Sequence, residues 1–296
     1  MKYVVTGGAG NISKPLAESL LSAGHEVTVI SRNAENLKPL ADKGAKAAIG
    51  SVEDVAFLKE TFKGADAVYT MVPPTFAATD WKGWIGQIGK NFAEAIKAAG
   101  VKYVVNLSSV GAHLPEGAGP VSGLFRAEQA LNELADVNIV HLRPNYFYTN
   151  LLANIPLIKG MNLLGSNISK PEDKIVFSHP QDIAEAAADE LLQLKFTGHS
   201  VRYLASDEST AQELAKTLGT SIGKADLPYV EFSDEDTLNG MKAAGLPEEV
   251  AKNYTEMGHS LRTGKMMEDY WKNRPKELGK VKLNDFAQEF AAAYSG

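Results

Sequence analysis

The stretch "KYVVTGGAGNIS", Lys2 to Ser13, passes from an apolar run into a helix through three glycines. Lys2–Thr6 reads as a strand, and a helix is predicted over Asn11–Ala23. Pro15 is tolerated there in a first turn. The spacing is Gly7-x-x-Gly10-x-x-Ser13, with Gly8 as an extra glycine. Glycines at these points allow a tight turn and close backbone approach to a pyrophosphate, which then sits at a helix N-terminus. A plain glycine turn is the competing reading. The position between a first strand and a first helix favours the phosphate cradle. Ser13 stands where a third small residue is usual and still permits close helix–strand packing.

Outward from that turn the chain alternates. Glu26–Ser31 reads as a strand, Ala34–Lys43 as a helix, Ala45–Ala48 as a short strand, and Asp54–Phe62 as a helix. "ADAVYTMV", Ala65–Val72, reads as a buried strand. Trp81, Trp84, Ile85, Ile88, Phe92, Ile96 and Ala99 recur at helical spacing, predicting a long helix over Asp80–Ala99 with both tryptophans in the core. Strand Lys102–Ser108, helix Gly123–Ala135 and strand Asn138–Arg143 follow. Strands that are apolar throughout, alternating with helices, predict an α/β, doubly wound parallel sheet covered on both faces.

The rhythm changes after Arg143. "PNYFYTNLLANIPLIKG" is aromatic and reads as irregular to helical. "KIVFSHPQDIAEAAADELLQL" returns as strand and helix, with Pro180 just inside the helix start. "VRYLAS" is a further strand, and the chain from Asp207 onward reads as mostly helical, with Ser209 and Gln212 as a capping box. The expected division is a dinucleotide-binding domain over 1–150 and 174–205, with a smaller, mostly helical substrate or cap domain over 151–173 and 206–296.

The second strand ends at Ile30-Ser31-Arg32-Asn33. A site that prefers NAD usually has a carboxylate there for the ribose 2′-hydroxyl. Glu26 lies at the other end of the strand. Arg32 stands where a 2′-phosphate would go, and a guanidinium suits phosphate. A solvated surface arginine is the alternative. The expected cofactor is therefore NADPH, with NAD less favoured.

Composition narrows the classes. The 296 residues are 44% hydrophobic and 22% charged, as in an ordinary globular protein. A formal net charge of -6 gives no sign of a nucleic-acid surface. Without cysteine, disulfides, thiolate nucleophiles and cysteine-ligated zinc are excluded. A signal peptide is not expected, because a strand begins at residue 2, nor is a membrane span. The expected location is the cytoplasm. The histidines (His25, His113, His141, His179, His199, His259) show no metal-ligand spacing. The string Gly219-Thr-Ser221-Ile-Gly223 matches a hydrolase elbow, but such an elbow follows a strand and "AQELAKTL" reads as a helix.

The first half resembles the short-chain dehydrogenase/reductase superfamily, whose typical members pass a proton through a Tyr-x-x-x-Lys pair. None of the ten tyrosines has a lysine four residues later. Tyr270 with Arg274 comes nearest, and the helix "VSGLFRAEQALNEL" carries Phe125 and Arg126 instead. More specifically, "VVTGGAGNIS", "FKGADAVYTMVPP", "NLSSVGAH", "LRPNYFYTNLL" and "HPQDIAEAAADEL" resemble the atypical NmrA-like branch over most of the chain. That resemblance implies a Rossmann-type domain and a small C-terminal domain. The family includes quinone reductases, plant-type ether and isoflavone reductases, and redox sensors that bind the dinucleotide without turning it over.

By resemblance, Thr6, Gly7, Gly10, Asn11 and Ile12 would line the pyrophosphate and Arg32 the adenosine ribose. Met71, Val72 and Pro73 would pass over the nicotinamide-side ribose. Ser108 and Pro144, Asn145, Tyr146 and Phe147 would flank the nicotinamide. The plant reductases carry a lysine proton donor after the fifth strand, and residues 109–135 contain none. His113 is a candidate catalytic residue because "SSVGAH" follows the fifth strand, a solvent-exposed loop histidine being the alternative. Tyr146 is the other candidate, as part of an aromatic wall for a flat substrate, with core packing as the alternative. Two functions stay open. One is an NADPH-dependent oxidoreductase that passes hydride to a quinone or similar conjugated small molecule. The other is an NADP(H) sensor that acts through a protein partner.

Overall fold

Strands and helices alternate from the first residues of the computed structural model, which describes residues 1–296. They run β1 (Lys2–Val5), α1 (Ser13–Ser22), β2 (Glu26–Ser31), α2 (Lys38–Ala41), β3 (Lys46–Ile49), α3 (Val55–Phe62), β4 (Ala67–Met71) and α4 (Trp81–Ala99). Then come β5 (Tyr103–Leu107), α5 (Pro120–Asn132) and β6 (Asn138–Pro144). The second part holds β7 (Tyr146–Phe147), α6 (Ile155–Met161), β8 (Leu164–Ser166), β9 (Lys174–Ser178), α7 (Pro180–Gln193), β10 (His199–Leu204) and β11 (Asp207–Thr210). It closes with α8 (Ala211–Ser221), β12 (Tyr229–Glu231), α9 (Asp234–Ala243), α10 (Glu248–Arg262), α11 (Glu268–Lys272) and α12 (Leu283–Ser295).

Seven strands form one sheet in the order β10-β6-β5-β4-β1-β2-β3, all neighbours parallel. Alternation within β1 shows why it is covered twice. Tyr3 and Val5 pack with Leu16 and Leu20 of α1 and Ile183 and Leu191 of α7. Val4 turns the other way, to Phe62 of α3, Phe92 of α4 and Leu131 of α5. Strand order reverses between β1 and β4, and a crevice opens at the carboxyl ends of strands at such a switch point.

The α4–α5 contact is unusually close because glycine makes room. A Cβ on Gly89 would stand 2.4 Å from Ala127 Cα, and one on Gly123 would stand 2.7 Å from Ile85 Cβ. A third core lies beyond the sheet. Tyr148 stacks between Phe177 and Phe286 at 4.6 and 4.8 Å, with Leu214, Leu218 and Phe290 around them.

Several boundaries differ from those read in the sequence. The helix expected over Ala34–Lys43 is a 3-10 turn, Glu35–Leu37, followed by the short α2. Pro39, in the first turn of α2, has no N–H to continue a helix through it. Helix α5 starts at Pro120 rather than Gly123, because proline is pre-set for a first helical turn and Gly119, at φ 57°, reverses the chain before it. The capping box is Thr210 with Glu213, not Ser209 with Gln212, since β11 runs through Thr210. The strand at 174–178 forms, yet it pairs with β7 and β11 in a small sheet and not with the seven-stranded one. Ser221 ends a helix, so the Gly-x-Ser-x-Gly string is no strand-borne elbow. No helix is long and apolar enough to cross a membrane.

Candidate active site

The loop after β1 makes the first half of the site. Gly7 and Gly8 hold φ of +94° and +61°, where a side chain is strained. A Cβ on Gly7 would also fall 2.4 Å from Ser13 Oγ. Ser13 is small for a reason the structure makes plain: its hydroxyl donates to Thr6 O at 2.8 Å and ties the helix start to the strand end. Helix α1 has no side-chain cap, and the amides of Asn11 and Ile12 donate to nothing within the chain. Uncapped amides at a helix N-terminus, beside glycines that leave space, are the donor set that a phosphate group takes up. A Cβ on Gly10 would meet only Gly7 O, at 3.2 Å.

An outer cleft of about 700 Å³ runs over this loop, from Gly7–Ser13 to the ends of β2 and β3. Arg32 lines its far end with Ser31, Asn36, Ser51 and Glu53. The Arg32 side chain is exposed and makes no ion pair or hydrogen bond inside the chain. Its guanidinium is free for an anion.

Met71, Pro73, Pro74 and Phe147 are shared between this cleft and an inner one of about 380 Å³. The inner cleft has a different chemistry. Its walls are Trp81 and Ile85 from α4, Val110, Val121 and Leu124 around α5, and Tyr254, Met257 and Leu261 from α10, with Met266. Polar atoms come from Ser108, Ser109, Asn145, Asn150, Tyr146 and Tyr254. No lysine, arginine, histidine, aspartate or glutamate lines it. Burial pushes the Tyr146 and Tyr254 phenols above their usual range, with Tyr229 and Tyr254 adding to the effect on Tyr146. Both stay protonated through neutral pH and are weak acids.

Helix α10 forms the lid. Lys82 Nζ meets Glu256 at 2.8 Å, Glu249 accepts from Trp81 N at 3.1 Å, and Gly119 leaves room for Asn253 O. Behind the floor lies a buried charge network. Ser108 Oγ donates to Glu128 at 2.5 Å, and Arg143 forks the same carboxylate at 3.0 and 2.6 Å. Arg143 Nη1 also reaches Tyr203 OH at 2.9 Å and Asp269 at 3.3 Å. Burial, then the bond to Asp269, pushes Tyr203 up to about 12.

Of the residues expected from sequence, Gly7, Gly10, Asn11, Ile12 and Arg32 line the outer cleft; Val72, Ser108, Asn145 and Tyr146 line the inner one; Met71, Pro73 and Phe147 line both. Three expectations need correction. Thr6 is fully buried, and its hydroxyl accepts from Met71 N at 2.8 Å, bracing β1 against β4 behind the cradle. Pro144 is buried and lines neither cleft. His113 also lines neither: it is half-buried beside Arg143, whose Nη2 contacts the neighbouring Ala112 O at 3.4 Å. Burial and Arg143 lower its pKa, against the pull of Asp269 and Glu268. Trp81 is buried core as read, packed with Ile85 and Val250, and also walls the inner cleft. Sequence reading missed Tyr254, Met257, Leu261 and Met266. Their only signal was an amphipathic pattern far along the chain, which does not say what a helix covers.

The sequence profile of the NmrA-like family matches residues 2–288. The chain belongs to the NmrA-like family. Among solved structures, this NmrA-like chain is similar to an NADPH-dependent quinone oxidoreductase from Escherichia coli complexed with NADPH. That pair is 22% identical, covers 97% of this chain and 99% of the other, and has a TM-score of 0.81. It is also similar to the Citrobacter sp. triphenylmethane reductase complexed with NADP(H), 20% identical over 97% of this chain and 99% of that one, with a TM-score of 0.79. A UDP-glucose 4-epimerase of Streptomyces lividans is 30% identical over 114 residues, 35% of this chain. That match spans only 34% of the epimerase's own length.

Proposed function

We propose that this NmrA-like chain is an NADPH-dependent oxidoreductase that reduces a quinone or similar conjugated, uncharged small molecule. The observation that carries the reading is the pairing of two clefts. One holds a glycine cradle, uncapped helix amides and a free Arg32; the other, continuous with it, holds no charged side chain. The first suits a dinucleotide whose 2′-phosphate meets Arg32. The second suits a neutral, largely apolar ring and not the diphosphate of a nucleotide sugar, which would need a cation. The likeness to two solved reductases, one complexed with NADPH and one with NADP(H), supports the same choice.

When bound, the cofactor supplies a hydride, so that NADPH, a quinone and one proton become NADP⁺ and a hydroquinone. Gly7, Gly10, Asn11 and Ile12 hold its phosphates. Met71, Pro73 and Phe147, common to both clefts, set the approach of the ring to the acceptor. Such a reaction needs reacting atoms held about 3–3.5 Å apart. It needs no strong acid from the protein, since the proton comes from water. Tyr146 serves as wall and orienter. A simple ketone lacks that freedom, because general acid help at its developing alkoxide is typically worth about 10²–10⁴-fold. The test is loss of NADPH absorbance with a panel of quinones, ketones and aldehydes. Turnover of quinones with little or none of unactivated carbonyls is expected. Tight NADPH binding with no turnover of any quinone would overturn the enzyme in favour of a sensor.

A further inference from the structure

Ser108 sits at the floor of the inner cleft and is 5% exposed. A serine hydroxyl has one proton and two lone pairs. Here the proton goes inward, to Glu128 Oε1 at 2.5 Å. Glu128 cannot turn away, because it is 2% exposed and Arg143 holds both of its oxygens, at 3.0 and 2.6 Å. The cleft is therefore offered a lone pair of Ser108, not its proton. Asn145, from the next strand end, also lines this cleft. Its Nδ2 donates to Leu204 O at 2.9 Å. A carbonyl only accepts, so the amide orientation is fixed. Its Oδ1 is buried with no partner in the chain.

Building on the reductase reading, we propose that Glu128 is a positioning residue that makes Ser108 a hydrogen-bond acceptor, so that the floor formed by Ser108 and Asn145 selects a ligand group that donates. Two such groups come with the proposed reaction: the N–H₂ of the nicotinamide carboxamide and the O–H of the reduced acceptor. Held this way, Ser108 gives no proton to an alkoxide. Arg143 also reaches Asp269 of α11, just after Met266 of the cleft wall, so one buried cation holds floor and wall together.

Glu128→Gln keeps the side chain's shape and reverses the polarity. Glu128 Oε1 accepts from both Ser108 and Arg143 Nε, so a glutamine N–H₂ in its place donates to Ser108 Oγ, releases the hydroxyl proton to the cleft and leaves Arg143 Nε–H without that acceptor. Two ligand pairs read the effect. One is NADPH against its reduced 3-acetylpyridine counterpart, which has no N–H₂, by dissociation constants from nicotinamide fluorescence. The other is a hydroquinone against its dimethyl ether, by inhibition constants. The wild-type chain should favour the donor-bearing member of at least one pair by about fivefold, the worth of one net hydrogen bond. The pair that responds identifies the group being read.

Ser108→Ala should bring that ratio to about one. Glu128→Gln should also abolish it, and should change nothing further when added to Ser108→Ala, a coupling that a merely structural role would not give. If Glu128→Gln does not melt as a folded chain, Ser108→Ala alone decides. No preference in either pair, or a wild-type ratio kept by Ser108→Ala or by folded Glu128→Gln, overturns the proposal and leaves the reductase reading standing. A wild-type chain that fails to bind NADPH sinks both.

Discussion

Arg32 and His141 show how differently two single residues act. Arg32 is a free cation at the end of the outer cleft, and losing a hydrogen bond to a charged group typically costs about 1.5–3 kcal/mol. Arg32→Ala should weaken NADPH binding by about tenfold or more and leave NADH nearly unchanged, as titration calorimetry would show; equal losses would contradict the 2′-phosphate assignment. Its place in the outer cleft was legible because it follows the second strand at a fixed distance from the glycines. His141 was not. It is buried in the sheet, where Nδ1 faces Asn106 Nδ2 and Nε2 faces Asn132 Oδ1, both at 3.0 Å. Thr70 donates to Asn106 Oδ1 at 2.9 Å, which fixes that amide and makes His141 Nδ1 an acceptor. Burial lowers its pKa, with Arg143 and His199 adding and Glu128 opposing. The unfolded imidazole takes up a proton below about pH 6.5 and the folded one does so only at lower pH. The unfolded state thus binds more protons, and stability falls as pH drops through that value toward the folded one. Urea midpoints should decline from about pH 7 to about pH 5, and less steeply for His141→Gln; an unchanged slope would show that His141 does not supply it.

Elements were legible where one local rule sets them. Asp80 caps α4 by accepting from Gly83 N at 2.9 Å, and Gly100, at φ 70°, closes it, so the long helix was placed within a residue. The glycine turn between β1 and α1 was legible for the same reason. Within it, two glycines should behave differently. Gly10→Val adds a side chain that meets little but Gly7 O and projects into the space of a pyrophosphate. Cofactor binding should vanish while the circular dichroism and melting of the fold largely survive; tight NADPH binding by the folded variant would move the phosphate elsewhere. Helix-to-helix fit was not legible. Nothing in "GWIGQIGKN" says that Gly89 meets Ala127 backbone, since that depends on how α4 and α5 cross. Gly89→Ala, normally favourable in a helix, should here cost about 1–3 kcal/mol through overpacking. A denaturation midpoint at or above the wild-type value would contradict the close crossing.

At the scale of the whole molecule, the sheet and the cleft at its switch point follow from the alternation of strands and helices, and that much the sequence pattern carried. The lid did not follow. Tyr254, Met257 and Leu261 lie more than a hundred residues from Tyr146, which lines the same cleft, and only tertiary packing of α10 on α4 and α5 brings them there. His113 shows the reverse case: near the fifth strand in sequence, it lines neither cleft, and both of its ring nitrogens are buried without a partner in the chain. What the assembled site offers is an uncharged chamber with two phenols held protonated and a serine whose proton is committed elsewhere. Hydride transfer there should depend on positioning alone. The most direct measurement is the single-turnover rate of NADPH oxidation by a neutral quinone, followed from about pH 6 to about pH 9, the range in which a titrating protein acid would declare itself. A rate that stays level across that range, within about twofold, is the result predicted. A rate governed by an ionisation near neutrality, or bound NADPH that is never consumed, would contradict it.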